Sequence, residues 1–150
     1  MSHAVNALAT LGRPDSKFQT LISARTAALL GVAGAILTVV VAKQPGIGLV
    51  LGCGSVAVLY SVYPVFSLGW GTAGERLIEW AFLLVGIASI VLAVTVDARW
   101  LALGWAAHGI WDALHHRDHH VVGLRGIPLW YIQTCLVWDI PAAIGLLVFL

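Results

Sequence analysis

The chain has 150 residues, of which 60% are hydrophobic and only 10% are charged, and its formal net charge is +1. Soluble globular domains are about half apolar and about a quarter charged, so this composition excludes a water-soluble fold. It also excludes intrinsic disorder, which needs low hydrophobicity and high net charge, and nucleic acid as a partner, which needs a concentrated basic face. We therefore expect an integral membrane protein surrounded by membrane lipids.

The first 20 residues differ from the rest of the chain. They contain no long apolar run and carry Arg13, Asp15 and Lys17, so residues 1–20 are predicted to form a short polar arm on the cytoplasmic side. The apolar stretch that follows lacks a small-residue cleavage site and is succeeded by further apolar segments, which argues against a removed signal peptide.

Five apolar segments follow the arm. A helix needs roughly 20 mainly apolar residues to cross a hydrocarbon core about 30 Å thick. The segments that approach this length are 21–42, 47–66, 77–96, 100–116 and 128–150. The expected breaks between them are Pro45-Gly46, the glycine-rich stretch 67–74, residues 97–99 and the loop 119–127. Residues 21–150 are thus predicted to form one all-α domain, a bundle of five transmembrane helices.

Basic residues predict how this bundle is oriented, because Lys and Arg concentrate in cytoplasmic loops. One side of the predicted bundle carries Arg13, Lys17, Arg25, Arg76, Arg117 and Arg125. The other side carries Lys43 and Arg99. This asymmetry places the N-terminus in the cytoplasm and the C-terminus outside.

Small residues recur at intervals of three or four along the first two predicted helices, a spacing that lets helix backbones approach closely. They are Ala27, Gly31 and Ala35, followed by Gly48, Gly52 and Ser55. The pattern fits packing within the chain better than a dimerisation face, although a homo-oligomer or a larger membrane complex is compatible with it.

The side chains that could bind a metal or transfer a proton are concentrated between positions 108 and 120. This segment reads HGIWDALHHRDHH and holds five of the six histidines of the chain. On a helix, His108, Asp112 and His115 share one face, and His116 lies at its edge. Two further acids are expected nearby in the bundle. Asp139 lies in the fifth predicted helix at about the depth of His108, and Glu79 lies in the third near the level of His115 and His116. His119 and His120 are more simply explained as part of a loop.

Ionisable groups are costly inside a membrane and usually face a partner in the bundle interior. Imidazole and carboxylate side chains bind Zn, Fe or Mn, and spacings of three or four residues present two ligands from one helix. The sequence therefore predicts a divalent metal site. Its candidate ligands are His108, Asp112, His115, His116, Asp139 and Glu79.

Several functions are compatible with such a site. A metal-bound water could hydrolyse an ester or amide of a lipid-soluble substrate, or a di-iron centre could activate oxygen. Alternatively, the chain is not an enzyme and handles protons or metal ions, or serves as a small subunit of a membrane complex. Simple polar pairing between helices is the third interpretation.

Two segments resemble a family of small bacterial integral membrane proteins that carry an HxxxDxxHH motif on one helix. The first is GWAAHGIWDALHH, which supplies His108, Asp112, His115 and His116. The second is PLWYIQTCLVWD, which supplies Cys135 and Asp139. The resemblance covers about a third of the chain and implies a multi-pass protein of the bacterial inner membrane with a site at these positions. The chain also resembles, more faintly, the membrane hydroxylases with several histidine boxes, of which it has one.

Overall fold

The computed structural model describes residues 21–115 and 127–150, and within these ranges the chain is helical and contains no strand. The helices are α1 (Ala24–Ala42), α2 (Gly48–Trp70), α3 (Ala73–Thr95), α4 (Trp100–His115) and α5 (Leu129–Phe149). The all-α prediction is confirmed. The predicted arm and several candidate residues lie outside the described ranges. They are residues 1–20, His116, His119 and His120.

Four of these helices, α1, α2, α3 and α5, are long and apolar enough to cross a membrane. These four helices mark the chain as a membrane protein. Helix α4 is shorter. Its 16 described residues span about 24 Å, whereas the hydrocarbon core is roughly 30 Å thick. The fifth span and the orientation of the bundle stay predictions.

The junction between α2 and α3 differs from the predicted break at 67–74, since α2 continues to Trp70. The guanidinium of Arg76 donates to two carbonyl oxygens in the last turn of α2, at 3.0 and 3.3 Å, and so adds hydrogen bonds at the end of this helix. A capping box starts α3, in which the Thr72 hydroxyl and the Glu75 carboxylate each accept a hydrogen bond from the other residue's backbone N–H. These contacts reduce the connection to two residues.

Consecutive helices alternate in direction. Helix α5 packs between α1 and α4, and α4 also contacts α2 and α3. The Lys43 ammonium lies 5.0 Å from the centre of the Phe149 ring, which places the end of α1 beside the end of α5. We call this end of the bundle, where α4 begins, the Arg99 end, and the opposite end the Arg76 end.

The small residues of α1 serve packing within the chain, as the sequence favoured. Ala27, Gly31 and Ala35 are buried. A Cβ atom added at Gly31 would lie 2.7 Å from the backbone oxygen of Thr134, so glycine is needed for the close approach of α5. These three small residues of α1 thus allow it to pack closely against α5. Helix α5 in turn carries Asp139 to the centre of the bundle.

Candidate metal centre

Three ionisable side chains meet where α4 crosses α5. His108 and Asp112 lie one turn apart on α4, and Asp139 faces them from the middle of α5. Gly109 allows this approach, because a Cβ atom at that position would lie 2.9 Å from Ile140 Cδ1 and 3.1 Å from Asp139 Cβ. Because Gly109 has no side chain, α4 and α5 can approach closely enough for Asp139 to face His108 and Asp112.

The His108 imidazole lies between the two carboxylates. Its Nδ1 is 2.7 Å from Asp139 Oδ2, a hydrogen-bond distance, and 3.2 Å from Asp112 Oδ2, a contact without hydrogen-bond alignment. All three side chains are completely buried. One imidazole can carry at most one positive charge, so it cannot neutralise two ionised carboxylates.

Aromatic side chains surround this group. The hydroxyl of Tyr63 on α2 donates a hydrogen bond to Asp112 Oδ1. The rings of Tyr60, Tyr63 and Phe82 have their centres 5.3, 5.5 and 6.3 Å from the centre of the His108 ring. Such a shell lowers the local dielectric constant, which strengthens electrostatic interactions inside it and raises the cost of any unpaired charge.

Several polar atoms of the group lack hydrogen-bond partners among the described residues. They are His108 Nε2, Asp112 Oδ2 and Asp139 Oδ1. Each unpaired buried polar group costs about 1–3 kcal/mol, and more when it is charged. One nitrogen of His108 and one oxygen from each aspartate lie within 4.8 Å of one another, so the three residues could hold a metal ion. This set of nitrogen and oxygen ligands suits Zn, Fe or Mn and does not select among them.

A second buried pair lies nearer the Arg76 end. His115 Nε2 is 2.8 Å from one oxygen of Glu79, and the indole N–H of Trp111 donates to the other at 3.0 Å. His115 Nδ1 lies 2.9 Å from the backbone oxygen of Trp111 and must donate there, because a carbonyl oxygen only accepts. One proton is then shared between Glu79 and Nε2. The pair is neutral overall wherever that proton resides, and both of its carboxylate oxygens are bonded.

The six predicted ligands thus fall into two groups and one undescribed position. His108, Asp112 and Asp139 lie together, whereas His115 and Glu79 bond to each other. His116 is outside the described residues. Cys135, which also belongs to the resembling motif, is buried, and its thiol is not among the clustered ligand atoms of the described chain.

Two residues that the sequence analysis did not identify complete these groups. Tyr63 bonds Asp112, and Trp111 bonds Glu79. A signal for Tyr63 was present, since a tyrosine in the middle of an apolar helix must find a partner for its hydroxyl. No comparable signal exists for Trp111, because tryptophan is common at the ends of membrane helices.

Comparison with known proteins finds no matching family model, no matching curated protein and no matching solved structure. The function of the chain must therefore be argued from the geometry of this site.

Proposed function

We propose that the protein binds one divalent metal ion through His108, Asp112 and Asp139, inside a five-span bundle of the bacterial inner membrane. In this proposal α4 completes the bundle as a fifth span, and the excess of basic residues on the N-terminal side keeps that side in the cytoplasm. The bacterial location is supported by the resemblance of the two motif segments.

The observation that carries the proposal is the single imidazole between two fully buried carboxylates. Two carboxylates and a neutral imidazole have a charge of −2, which a divalent ion cancels. An isolated charge inside a membrane protein is expensive, and such charges are normally paired or coordinate a metal. A divalent cation is the ligand whose charge matches this group.

Two of the ligand distances are close to those that the ion requires. Tetrahedral coordination with bonds of about 2.0–2.1 Å separates the ligand atoms by about 3.3 Å. His108 Nδ1 and Asp112 Oδ2 are already 3.2 Å apart, whereas Nδ1 and Asp139 Oδ2 are 2.7 Å apart. The ion would replace the proton between His108 and Asp139, and these two atoms would separate by about half an ångström.

Three protein ligands leave a coordination position open, the arrangement of catalytic rather than structural zinc sites. A water bound there would become acidic enough to act as a nucleophile near neutral pH. Because the bundle around the site is apolar, the proposed substrate is lipid-soluble, and the proposed reaction is hydrolysis of an ester or amide. The described residues supply ligands for one ion, which gives a di-iron oxygenase less support.

A second candidate function is the handling of protons, and the 2.7 Å contact between His108 and Asp139 favours it. That distance fits a shared proton and is too short for two ligands of one metal ion. Metal analysis separates the two functions, because a proton site binds no metal when it is titrated.

The decisive experiment is metal analysis of the protein purified in detergent. We expect about one Zn, Fe or Mn ion per chain, and its loss in His108→Ala, Asp112→Asn and Asp139→Asn. The matched control is His115→Ala, which removes a buried imidazole from the same helix and should retain the ion. A wild-type protein that carries no metal and binds none on titration would exclude the metal site.

A loss of metal in His115→Ala equal to that in His108→Ala would instead restore His115 to the ligand set. Thermal unfolding of each variant in detergent must accompany the metal analysis, because a misfolded protein loses metal for trivial reasons. The asparagine variants keep the shape of the aspartate side chain, so a folded variant without metal identifies a ligand.

A further inference from the structure

An open groove of about 670 Å³ runs between α4 and α5 from the Arg99 end as far as Ala106, two residues before His108. This volume falls within the range of about 300–1,000 Å³ typical of small-molecule sites. Its walls are apolar and its mouth is charged. The walls include Leu103 and Ala106 on α4 and Ala143, Ile144 and Leu147 on α5, and Asp97 and Arg99 lie at the mouth.

The apolar walls are open to the surroundings of the bundle. Leu103, Ile144 and Leu147 expose 48%, 59% and 61% of their surface. From Arg99 to Ala106 the groove extends along two turns of α4, or about 10 Å. A chain of methylene groups entering from the surrounding bilayer would lie along such a surface and cover it.

The two charged residues at the mouth form an ion pair. Asp97 Oδ1 accepts hydrogen bonds from the backbone N–H of Arg99 at 2.8 Å and from its Nε at 3.2 Å, and Asp97 Oδ2 accepts from Nη2 at 3.2 Å. These hydrogen bonds lower the pKa of the Asp97 carboxyl, first through the backbone N–H and then through the guanidinium. The mouth therefore presents one negative and one positive group side by side.

This ion pair retains unused hydrogen-bonding capacity. A guanidinium has five N–H donors, and two of those of Arg99 are used on Asp97. The remaining three suit the oxygens of a phosphate. A carboxylate offers about four acceptor positions, of which Asp97 uses three within the described residues, so one remains for a donor.

We propose that the groove binds one zwitterionic phospholipid of the phosphoethanolamine type, with its phosphate on Arg99, its ammonium on Asp97 and an acyl chain between α4 and α5. A headgroup with both charges pairs with both residues and keeps the mouth neutral. An anionic headgroup such as phosphoglycerol offers no ammonium to the remaining acceptor position of Asp97 and places a second negative charge beside it. A phosphocholine headgroup is zwitterionic but has no N–H donor for Asp97.

The assignment is independent of the metal centre and extends the function of the protein to the recognition of a particular lipid. The probe is phosphatidylethanolamine, titrated into the detergent-purified protein and counted by native mass spectrometry, with phosphatidylglycerol of the same acyl chains for comparison. We expect one phosphatidylethanolamine per chain, bound about fivefold more tightly than phosphatidylglycerol.

Two variants test the headgroup contacts. Arg99→Gln should weaken phosphatidylethanolamine binding about fivefold, and Asp97→Asn should remove the preference over phosphatidylglycerol. The matched control is Lys43→Gln, which removes a positive charge at the same end of the bundle but outside the groove. Equal binding of the two lipids by the wild-type protein would overturn the headgroup assignment.

One further pair tests the groove itself. Ala106→Leu fills the space between α4 and α5 and should abolish binding of the lipid. Ala107→Leu makes the same change at the next residue, which does not line the groove, and should bind it as the wild type does. Undiminished binding by Ala106→Leu overturns the proposal. Metal content is measured on the same samples. If the wild-type protein contains no metal but still prefers phosphatidylethanolamine, the metal centre is refuted and the lipid site is not.

Discussion

Replacing Tyr63 by phenylalanine removes one oxygen atom from the candidate metal centre and leaves the ring in place. That oxygen donates a hydrogen bond to Asp112 Oδ1, while Asp112 Oδ2 has no aligned hydrogen-bond partner among the described residues. The variant therefore leaves a fully buried carboxylate with no hydrogen-bond donor on either oxygen. We expect Tyr63→Phe to impair both the stability of the metal-free protein and its affinity for metal.

The expected magnitudes follow from the nature of the lost bond. A hydrogen bond to an ionised group contributes about 1.5–3 kcal/mol, so the metal-free protein should lose about this much free energy of unfolding. A group that orients a metal-bound carboxylate typically changes metal affinity by about 10–100-fold, and Tyr63→Phe should weaken binding by that factor. The assays are unfolding in detergent without metal and metal titration against a competing chelator.

Tyr60→Phe is a close control. The two tyrosines lie one turn apart on α2 and are equally buried, with 1% of their surface exposed. The Tyr60 hydroxyl donates to the backbone oxygen of Gly104 at 2.8 Å rather than to a carboxylate. Its loss should cost about 0.5–1.5 kcal/mol, the value for a neutral hydrogen bond, and leave metal affinity unchanged.

Two results would refute this reasoning. If Tyr63→Phe binds metal as tightly as the wild type, Asp112 is not a ligand that Tyr63 orients. If Tyr60→Phe loses as much affinity as Tyr63→Phe, the effect comes from general loosening of α2 and not from the carboxylate contact.

The remaining predictions concern helix approach and the second buried pair. Gly109→Ala should cost about 1–3 kcal/mol and weaken metal binding, because its Cβ atom would crowd Asp139 at 3.1 Å. Gly54→Ala is the control, since nothing lies within 4 Å of its Cβ position, and equal unfolding midpoints for both variants would contradict the packing argument. Glu79→Ala should destabilise the protein by about 3–5 kcal/mol, because it leaves the buried His115 imidazole unpaired, yet retain one metal ion per chain. Loss of the ion from a folded Glu79→Ala protein would place Glu79 in the metal centre.

Much of the helical organisation was predictable from the sequence, because apolar length alone decides which segments can cross a membrane. The prediction differed at the junction of α2 and α3, where glycines suggested a break at 67–74. Contacts made by Arg76 and Thr72 extend both helices into that stretch. The threonine followed three residues later by Glu75 is a recognisable capping signal, whereas the contact of Arg76 with the end of α2 depends on tertiary structure.

The candidate site was only partly predictable, and the reason is the length of a helical turn. His108 and His115 share a face, as their spacing indicates, but seven residues separate them by about 10 Å along the axis. The two imidazoles accordingly face different acids, His108 facing Asp139 and His115 facing Glu79. The sequence indicated one face of α4 and two acids on other helices, but it could not assign each acid to its imidazole. That assignment depends on the rotation of α3 and α5, which periodicity does not fix.

The pairing also reverses what the composition of the motif suggests. Counted along the chain, residues 108–120 are rich in histidine and imply an excess of bases. In the described structure, Glu79 and His115 match one acid to one base and use both carboxylate oxygens, so nothing further is needed there. His108 instead faces two acids, and unpaired atoms remain on all three side chains. A buried carboxylate that stays ionised needs a cation beside it, and one without a cation takes up a proton instead. The excess of carboxylates over imidazoles around His108, rather than the number of histidines, therefore identifies His108, Asp112 and Asp139 as the group at which an ion should bind.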